Sequence, residues 1–588
     1  MDGTPSLNGH GLRTQLADLR GTGSDSDSNP GPRPASNGAS VELDALIVGA
    51  GFAGIFMLKT LRDRGYRVRI YEAGSGLGGT WRWNGYPGAG VDSEVPLYEF
   101  SWPEVWKDWT WSTNYPGYAE IRAYFEHVDS VIGVKKDCCF NTVVVGGTFD
   151  TEAGRWSVVT SDGQTTRVKY LVLGTGFSAK RYVPEWPGMA DFDGIIHHSS
   201  FWPKEGDVSI DGKRCAVIGT GASGVQIVQA WGPVAGHLTV FQRTPNLALP
   251  MRRRYLTVES QQQSKAHYPE FFRYRERTYA GFNFDWHERK VADETAEERR
   301  ALLESSWAAG GFRFWLAAYI DMITDTALNA DYYDLWARKT RARIVDERKR
   351  DLLAPLKMPH YFGIKRCCLE ETYYEQFNRS TVDLIDVAAD PIECFTKTGI
   401  KLKSGEHHEL DVVALATGFD VSTGAMTQMG LTSIDGKSLD QLWAKGATTY
   451  LGLTVSGFPN MFHLYGTQAP TLLCNGPSCV EVQGRWVADC IDKAERRGVK
   501  FLNARSEAAG AWRDDLIQFY NTTLFPTTRS TFMGGSVPGK PFEPVAYGRG
   551  LPTYSDTIRS ALESWDDGFE LNLNTVIGRC NRHTKLID

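Results

Sequence analysis

Two glycine-rich runs in this chain have the residue types and spacing to hold a nucleotide pyrophosphate. The first is DALIVGAGFAGIFMLKTL, with Gly49, Gly51 and Gly54; the second is RCAVIGTGASGVQIVQAW, with Gly219, Gly221 and Gly224. In each, the glycines permit a tight turn and a close backbone approach to phosphate, and a following helix would turn its N-terminus toward the negative charge. What lies 23 residues after the first glycine separates the two runs. In the first run it is Glu72, an acid that accepts hydrogen bonds from ribose hydroxyls and repels a 2′-phosphate, as FAD or NAD requires. In the second it is Gln242, followed by Arg243 and Thr244, a guanidinium and a hydroxyl suited to the 2′-phosphate of NADP. Two dinucleotides of different preference in one chain imply FAD reduced by NADPH.

These turns need a strand before them, a helix after them and a second strand beyond, and both runs supply that pattern. Gly74, Gly76 and Gly79 also match the glycine spacing, but no helix-like run follows them. The expected fold class is α/β: two Rossmann-like dinucleotide-binding domains, for FAD and NADP, plus a helical insertion. Residues 155–174 read as a hairpin running into TRVKYLVLGTGFS, a strand that leads from one domain to the next. DVVALATGFD at 411–420 repeats the strand-plus-ATG pattern and suggests a return to the first domain. The expected organisation is therefore an FAD-binding domain of residues 41–177 and 410–588, an NADP-binding domain of residues 178–251 and 356–409, and a helical insertion of residues 252–355. The insertion rests on helical periodicity in WLAAYIDMITDTALNADYYDLWARKTR and is a candidate lid or simple packing bulk. Residues 1–40, rich in Gly, Ser, Pro and Asp, read as a disordered extension.

The remaining composition excludes more than it selects. The chain has 588 residues, 64 basic against 70 acidic, for a net charge of −6, which calls for neither nucleic acid nor an anionic membrane. No apolar run reaches membrane-helix length and no signal pattern opens the chain. The ten cysteines are scattered, pointing to a reducing, cytoplasmic setting. Cys474 and Cys479 invite a redox reading, but flavin disulfide reductases place such a pair soon after the first glycine turn, and here it lies in the C-terminal third. No ligand set at metal spacing accompanies His198, so no metal is expected.

Two longer signatures identify the chain as similar to the Baeyer–Villiger monooxygenases, a family of two-dinucleotide flavoproteins. GGTWRWNGYPGAGVD carries Gly79, Trp81, Tyr86, Pro87, Gly88 and Asp92 of the first family pattern. FDGIIHHSSFWP carries Phe192, Gly194, His198, Trp202 and Pro203 of the second. The resemblance runs from about residue 41 to 570. It implies that NADPH reduces FAD, that O2 adds to give a C4a-peroxyflavin, and that this attacks a ketone carbonyl so that an ester or lactone leaves, with sulfoxidation as a side activity. It makes Arg366, in HYFGIKRCCLEETYYEQFNR, the catalytic arginine, with Asp92 orienting it and Lys365 a second contact to the 2′-phosphate. It also implies FAD contacts at Thr80, Trp81, Tyr86 and Asp92, and a brace between the two domains at His198. A peroxyanion must be kept dry beside a permanent cation, which suits arginine. The chain departs from the family at Thr531, where many members carry Trp, and at TQAP, residues 467–470. The alternatives are an N- or S-oxygenating flavin monooxygenase, which lacks the full Gly79-to-Asp92 signature, a flavin reductase, and a non-catalytic nucleotide module.

Overall fold

The computed structural model describes residues 42–203 and 208–573. The N-terminal extension expected to be disordered lies outside the described residues.

Apart from Asp44 near its start, the strand Leu43–Val48 is apolar and buried on both faces, as a central parallel strand must be. It pairs in parallel with Val68–Tyr71 on one side and Thr165–Leu173 on the other. The helix Phe52–Asp63 crosses between Leu43–Val48 and Val68–Tyr71, completing the first βαβ unit. Cys138–Cys139 extends this sheet beyond Val68–Tyr71. Beyond Thr165–Leu173 come the antiparallel strands Arg155–Thr160 and Val144–Asp150, and Met461–His463 joins late in the chain, parallel to Thr165–Leu173. The hairpin read from the sequence at 155–174 is present.

The second sheet is wholly parallel, in the order Val382–Asp386, His237–Gln242, Arg214–Ile218, Val412–Leu415, Ile195–His198. One expected boundary is corrected here. The run DVVAL was expected to begin the return to the first domain at residue 410. Instead Val412–Leu415 fills the slot between Arg214–Ile218 and Ile195–His198 in the second sheet. Its four buried apolar residues suit any central parallel strand, so the pattern alone did not say which sheet would take it. The chain leaves the second domain only after it.

The insertion is helical, and its helices start where side chains cap them. Thr257 caps Val258–Lys265, Thr295 forms a reciprocal capping box with Glu298 on Ala296–Ala309, Asp325 caps Thr326–Arg341, and Asp346 caps Glu347–Leu353. The periodic run read as helical from Trp315 to Arg341 is broken. A single turn at Arg313–Leu316 and a 3-10 turn at Ile320–Ile323 precede Asp325, whose carboxylate takes the N–H groups of Ala327 and Leu328 and restarts the helix.

Candidate active site

Both glycine turns have the geometry their spacing demands. Gly49 has φ +103° and Gly219 has φ +106°, backbone that side-chain-bearing residues rarely adopt. A Cβ on Gly54 would lie 1.8 Å from the Gly49 carbonyl oxygen, and one on Gly224 would lie 2.1 Å from that of Gly219. Helix and strand therefore meet at backbone contact. Gly51 and Gly221 stand at the N-caps of Phe52–Asp63 and Ala222–Trp231 with no side-chain cap, so amide donors of both first turns face outward without a side-chain acceptor. That is a fit for a pyrophosphate.

Glu72 is buried and accepts from the Ala50 amide at 2.6 Å and the Gly74 amide at 2.7 Å. Burial raises its pKa, and these two amides oppose the rise. The Trp83 side chain donates as well, and of the roughly four acceptor positions of a carboxylate one is left, which fits a ribose hydroxyl donor. At the matching place in the second domain, the buried Gln242 amide donates to the Leu352 carbonyl at 2.8 Å and belongs to the packing of the insertion's last helix. Arg243 is exposed, and the Thr244 carbonyl accepts from the Thr220 hydroxyl at 2.7 Å. Lys365 has its pKa lowered by burial and by the nearby Arg243 charge. Two cations from segments 122 residues apart thus face one region, an arrangement suited to a phosphate.

Arg366 and Asp92 meet as the sequence expects. Arg366 Nη2 donates to Asp92 Oδ2 at 2.6 Å, and Nη1 donates to the Leu472 carbonyl at 2.8 Å. The Phe312 ring centroid lies 5.4 Å from the guanidinium carbon. Burial alone would lower the arginine's pKa; the Asp92 charge and hydrogen bond outweigh it and leave the pKa raised. The side chains remain 36% and 31% exposed, so the pair borders open space. Neither Leu472 nor Phe312 was signalled by the sequence. A backbone carbonyl has no residue signature, and Phe312 is one aromatic among 28 phenylalanines.

The first signature has a second task that sequence reading missed. Trp81 is buried and its indole donates to the Tyr98 hydroxyl at 3.1 Å, while Thr80 is exposed at the start of the single helical turn Thr80–Trp83. The Tyr86 hydroxyl donates to Gln226 Oε1 at 2.7 Å, and Gln226 returns a donor to the Gly90 carbonyl at 3.1 Å. Gln226 lies on Ala222–Trp231, so the YPGAG loop is also a seam between the two domains. His198 lies on the other seam. Its Nε2 donates to the Gly418 carbonyl at 3.1 Å and its Nδ1 accepts from the Ser200 amide at 3.0 Å. Burial lowers its pKa to about 4, so it is a neutral ring held between Ser200 and Gly418, the latter on the stretch that leaves the second domain. Cys474 and Cys479 are buried free thiols, and burial raises the Cys479 pKa. A buried thiol with a raised pKa, as at Cys479, is a poor nucleophile, in keeping with a packing role. Among the described residues no helix is long and apolar enough to cross a membrane.

Comparison with known proteins agrees with this geometry. Residues 43–267 match the family model described as pyridine nucleotide-disulphide oxidoreductase. The chain is 54% identical to the FAD-binding monooxygenase acrE of Aspergillus aculeatus over 90% of its own length and 89% of the relative's. It is 39% identical to cyclopentanone 1,2-monooxygenase of a Comamonas species, over 91% and 97% of the two chains. It is 35% identical to a Baeyer-Villiger monooxygenase of Pseudooceanicola batsensis, over 89% and 95%. The crystal structure of OTEMO in complex with FAD and NADP superposes with a TM-score of 0.86 at 31% identity, covering 91% of this chain and all of that one. The fold and paired nucleotide turns define a flavin- and nicotinamide-dependent oxidoreductase. Within that class the chain belongs to the Baeyer–Villiger monooxygenase family, whose cofactors are FAD and NADPH.

Proposed function

We propose that this enzyme converts a ketone to an ester or lactone at the Arg366–Asp92 pair, with O2 as co-substrate and FAD and NADPH held on the first and second glycine turns. FAD held there would supply the redox chemistry through which hydride from NADPH activates O2, one oxygen atom entering beside the carbonyl and the other leaving as water. In this reading Glu72 receives the ribose hydroxyls of FAD, Thr80, Trp81 and Tyr86 line the flavin side, and Arg243, Thr244 and Lys365 receive the 2′-phosphate. Asp92 and the Leu472 carbonyl fix the guanidinium plane of Arg366. Its remaining N–H groups then polarise the ketone oxygen and stabilise the negative charge that develops there. The Phe312 ring covers part of the guanidinium and keeps water off it. Cytoplasmic residence belongs to the same reading, supported by the scatter of the ten cysteines.

The observation that carries the reading is an arginine held on two sides yet open on a third. Arg366→Ala should abolish ester formation while anaerobic reduction of the flavin by NADPH continues, with hydrogen peroxide replacing the ester in air. Ester formation surviving in that variant removes Arg366 from the mechanism. An N-oxide as the main product from a panel of amines and ketones would favour the heteroatom-oxygenating alternative.

A further inference from the structure

Asp92 has a neighbour that holds a second arginine. Two residues on, Glu94 Oε1 accepts from Arg313 Nη1 at 2.5 Å and from the Tyr115 hydroxyl at 3.1 Å, and Oε2 lies 3.8 Å from Arg254. Arg254 stands at the entry of the helical insertion, Arg313 within it and Arg366 just past its end. One three-residue segment of the first domain therefore grips the insertion at two points and the stretch just past it at a third.

From Arg313 the contacts run back to the active arginine. Its guanidinium sits over the Phe284 ring at 4.7 Å, and Phe284 stacks on Phe282 at 5.1 Å and 7°. Phe282 meets Phe312 edge-on at 6.1 Å, and Phe312 lies against Arg366. The circuit closes through Asp92. Gly311 shows how tightly the insertion is seated here. It has φ +60°, and a Cβ on it would lie 2.4 Å from the Tyr115 hydroxyl and 3.5 Å from Glu94 Oε1. Glu94 and Arg313 side chains are 13% and 25% exposed, so this is a partly buried pair rather than a solvated surface one. Deleting either partner leaves the other charge poorly compensated beside the site.

We propose that Glu94 and Arg313 are positioning residues that set the Phe282–Phe284–Phe312 wall beside Arg366, and that this placement couples NADPH consumption to ester formation. The inference rests on the function proposed above and adds residues to that same site. Neither Glu94 nor Arg313 touches the reacting atoms in this scheme. Their effect passes through Phe312, whose shift would admit water and loosen the ketone at once, and displacement by about 1 Å can cost about a hundredfold in rate.

The test compares Glu94→Gln, Arg313→Gln, the double variant and Arg313→Lys as FAD-loaded enzymes. Four quantities are measured: FAD content, anaerobic flavin reduction by NADPH, ketone KM, and ester formed per NADPH oxidised. We expect FAD content and flavin reduction to stay near wild type. Ester per NADPH should fall at least about threefold in each Gln variant, with hydrogen peroxide making up the difference and ketone KM rising. The double variant should be no worse than the singles, and Arg313→Lys should retain more coupling than Arg313→Gln. Wild-type coupling in both single variants overturns the proposal, as do additive losses in the double variant. Equal losses of FAD content, flavin reduction and coupling also overturn it, because the pair would then merely hold the fold. A wild-type enzyme that makes no ester from any ketone defeats the underlying function instead, so the two failures are distinguishable.

Discussion

At the scale of single residues, Arg366 is set apart by how its donors are shared out. One goes to a carboxylate and one to a carbonyl, and the side chain stays 36% exposed. Lysine would keep the charge but has no planar fork with which to hold both partners and still present a donor in a fixed plane. Arg366→Lys should therefore lower kcat for ester formation by about a hundredfold, with anaerobic flavin reduction little changed. Lys365 and Arg243 make a separable prediction. Replacing either by alanine should raise KM for NADPH by about tenfold and leave KM for NADH nearly unaltered, since only NADPH carries the 2′-phosphate. Because the Lys365 pKa is lowered, the charge it offers is lost as pH rises through a value below that of an ordinary lysine. NADPH affinity should fall with rising alkalinity earlier in wild type than in Lys365→Arg, as steady-state KM against pH would record.

At the scale of elements, what could be read from the sequence depended on whether the cause was local. Each glycine turn carries its cause in its own residues, and both stand where the spacing placed them. The Arg366–Asp92 contact joins residues 274 apart and entered the sequence reading only through the family signatures. The slot taken by Val412–Leu415 and the Tyr86–Gln226 seam are set by which surface is left to cover, and no local pattern encodes that. The break before Asp325 was legible in principle, since Thr-Asp-Thr offers a cap, but the apolar periodicity ran across it. His198 tests one element directly. His198→Ala removes the ring that joins Ser200 to Gly418, so turnover should slow or NADPH oxidation should uncouple while FAD stays bound.

The segment that follows Asp92 also makes a pH-dependent contact with the insertion. Burial pushes the Glu99 carboxyl up to about 8, against the Trp111 indole donor at 2.6 Å and the charges of Lys265 and Arg275. The folded state therefore prefers the protonated acid. Its contribution to stability is complete below the ordinary carboxyl value and is lost as pH rises through about 8. Melting temperature should decline between about pH 5 and 8 in wild type, and Glu99→Gln should flatten that decline. An unchanged slope in the variant would assign the pH dependence to other groups.

On the scale of the whole molecule, the two nucleotide domains are interleaved rather than strung in series. Every strand of the second sheet lies between Ile195 and Leu415, whereas the first sheet takes Leu43–Val48 from near the start and Met461–His463 from much later. This sets an order of events on the ribosome. All five strands of the inner sheet have been synthesised before the last strand of the outer one emerges. The nascent chain must carry its first glycine turn through some four hundred residues of synthesis before Met461–His463 can seal the sheet behind it. Flavin capture should then be a late step of biogenesis, and a ribosome stalled near residue 455, with Val412–Leu415 clear of the exit tunnel and Met461–His463 not yet made, should display a protease-resistant inner domain that is still colourless.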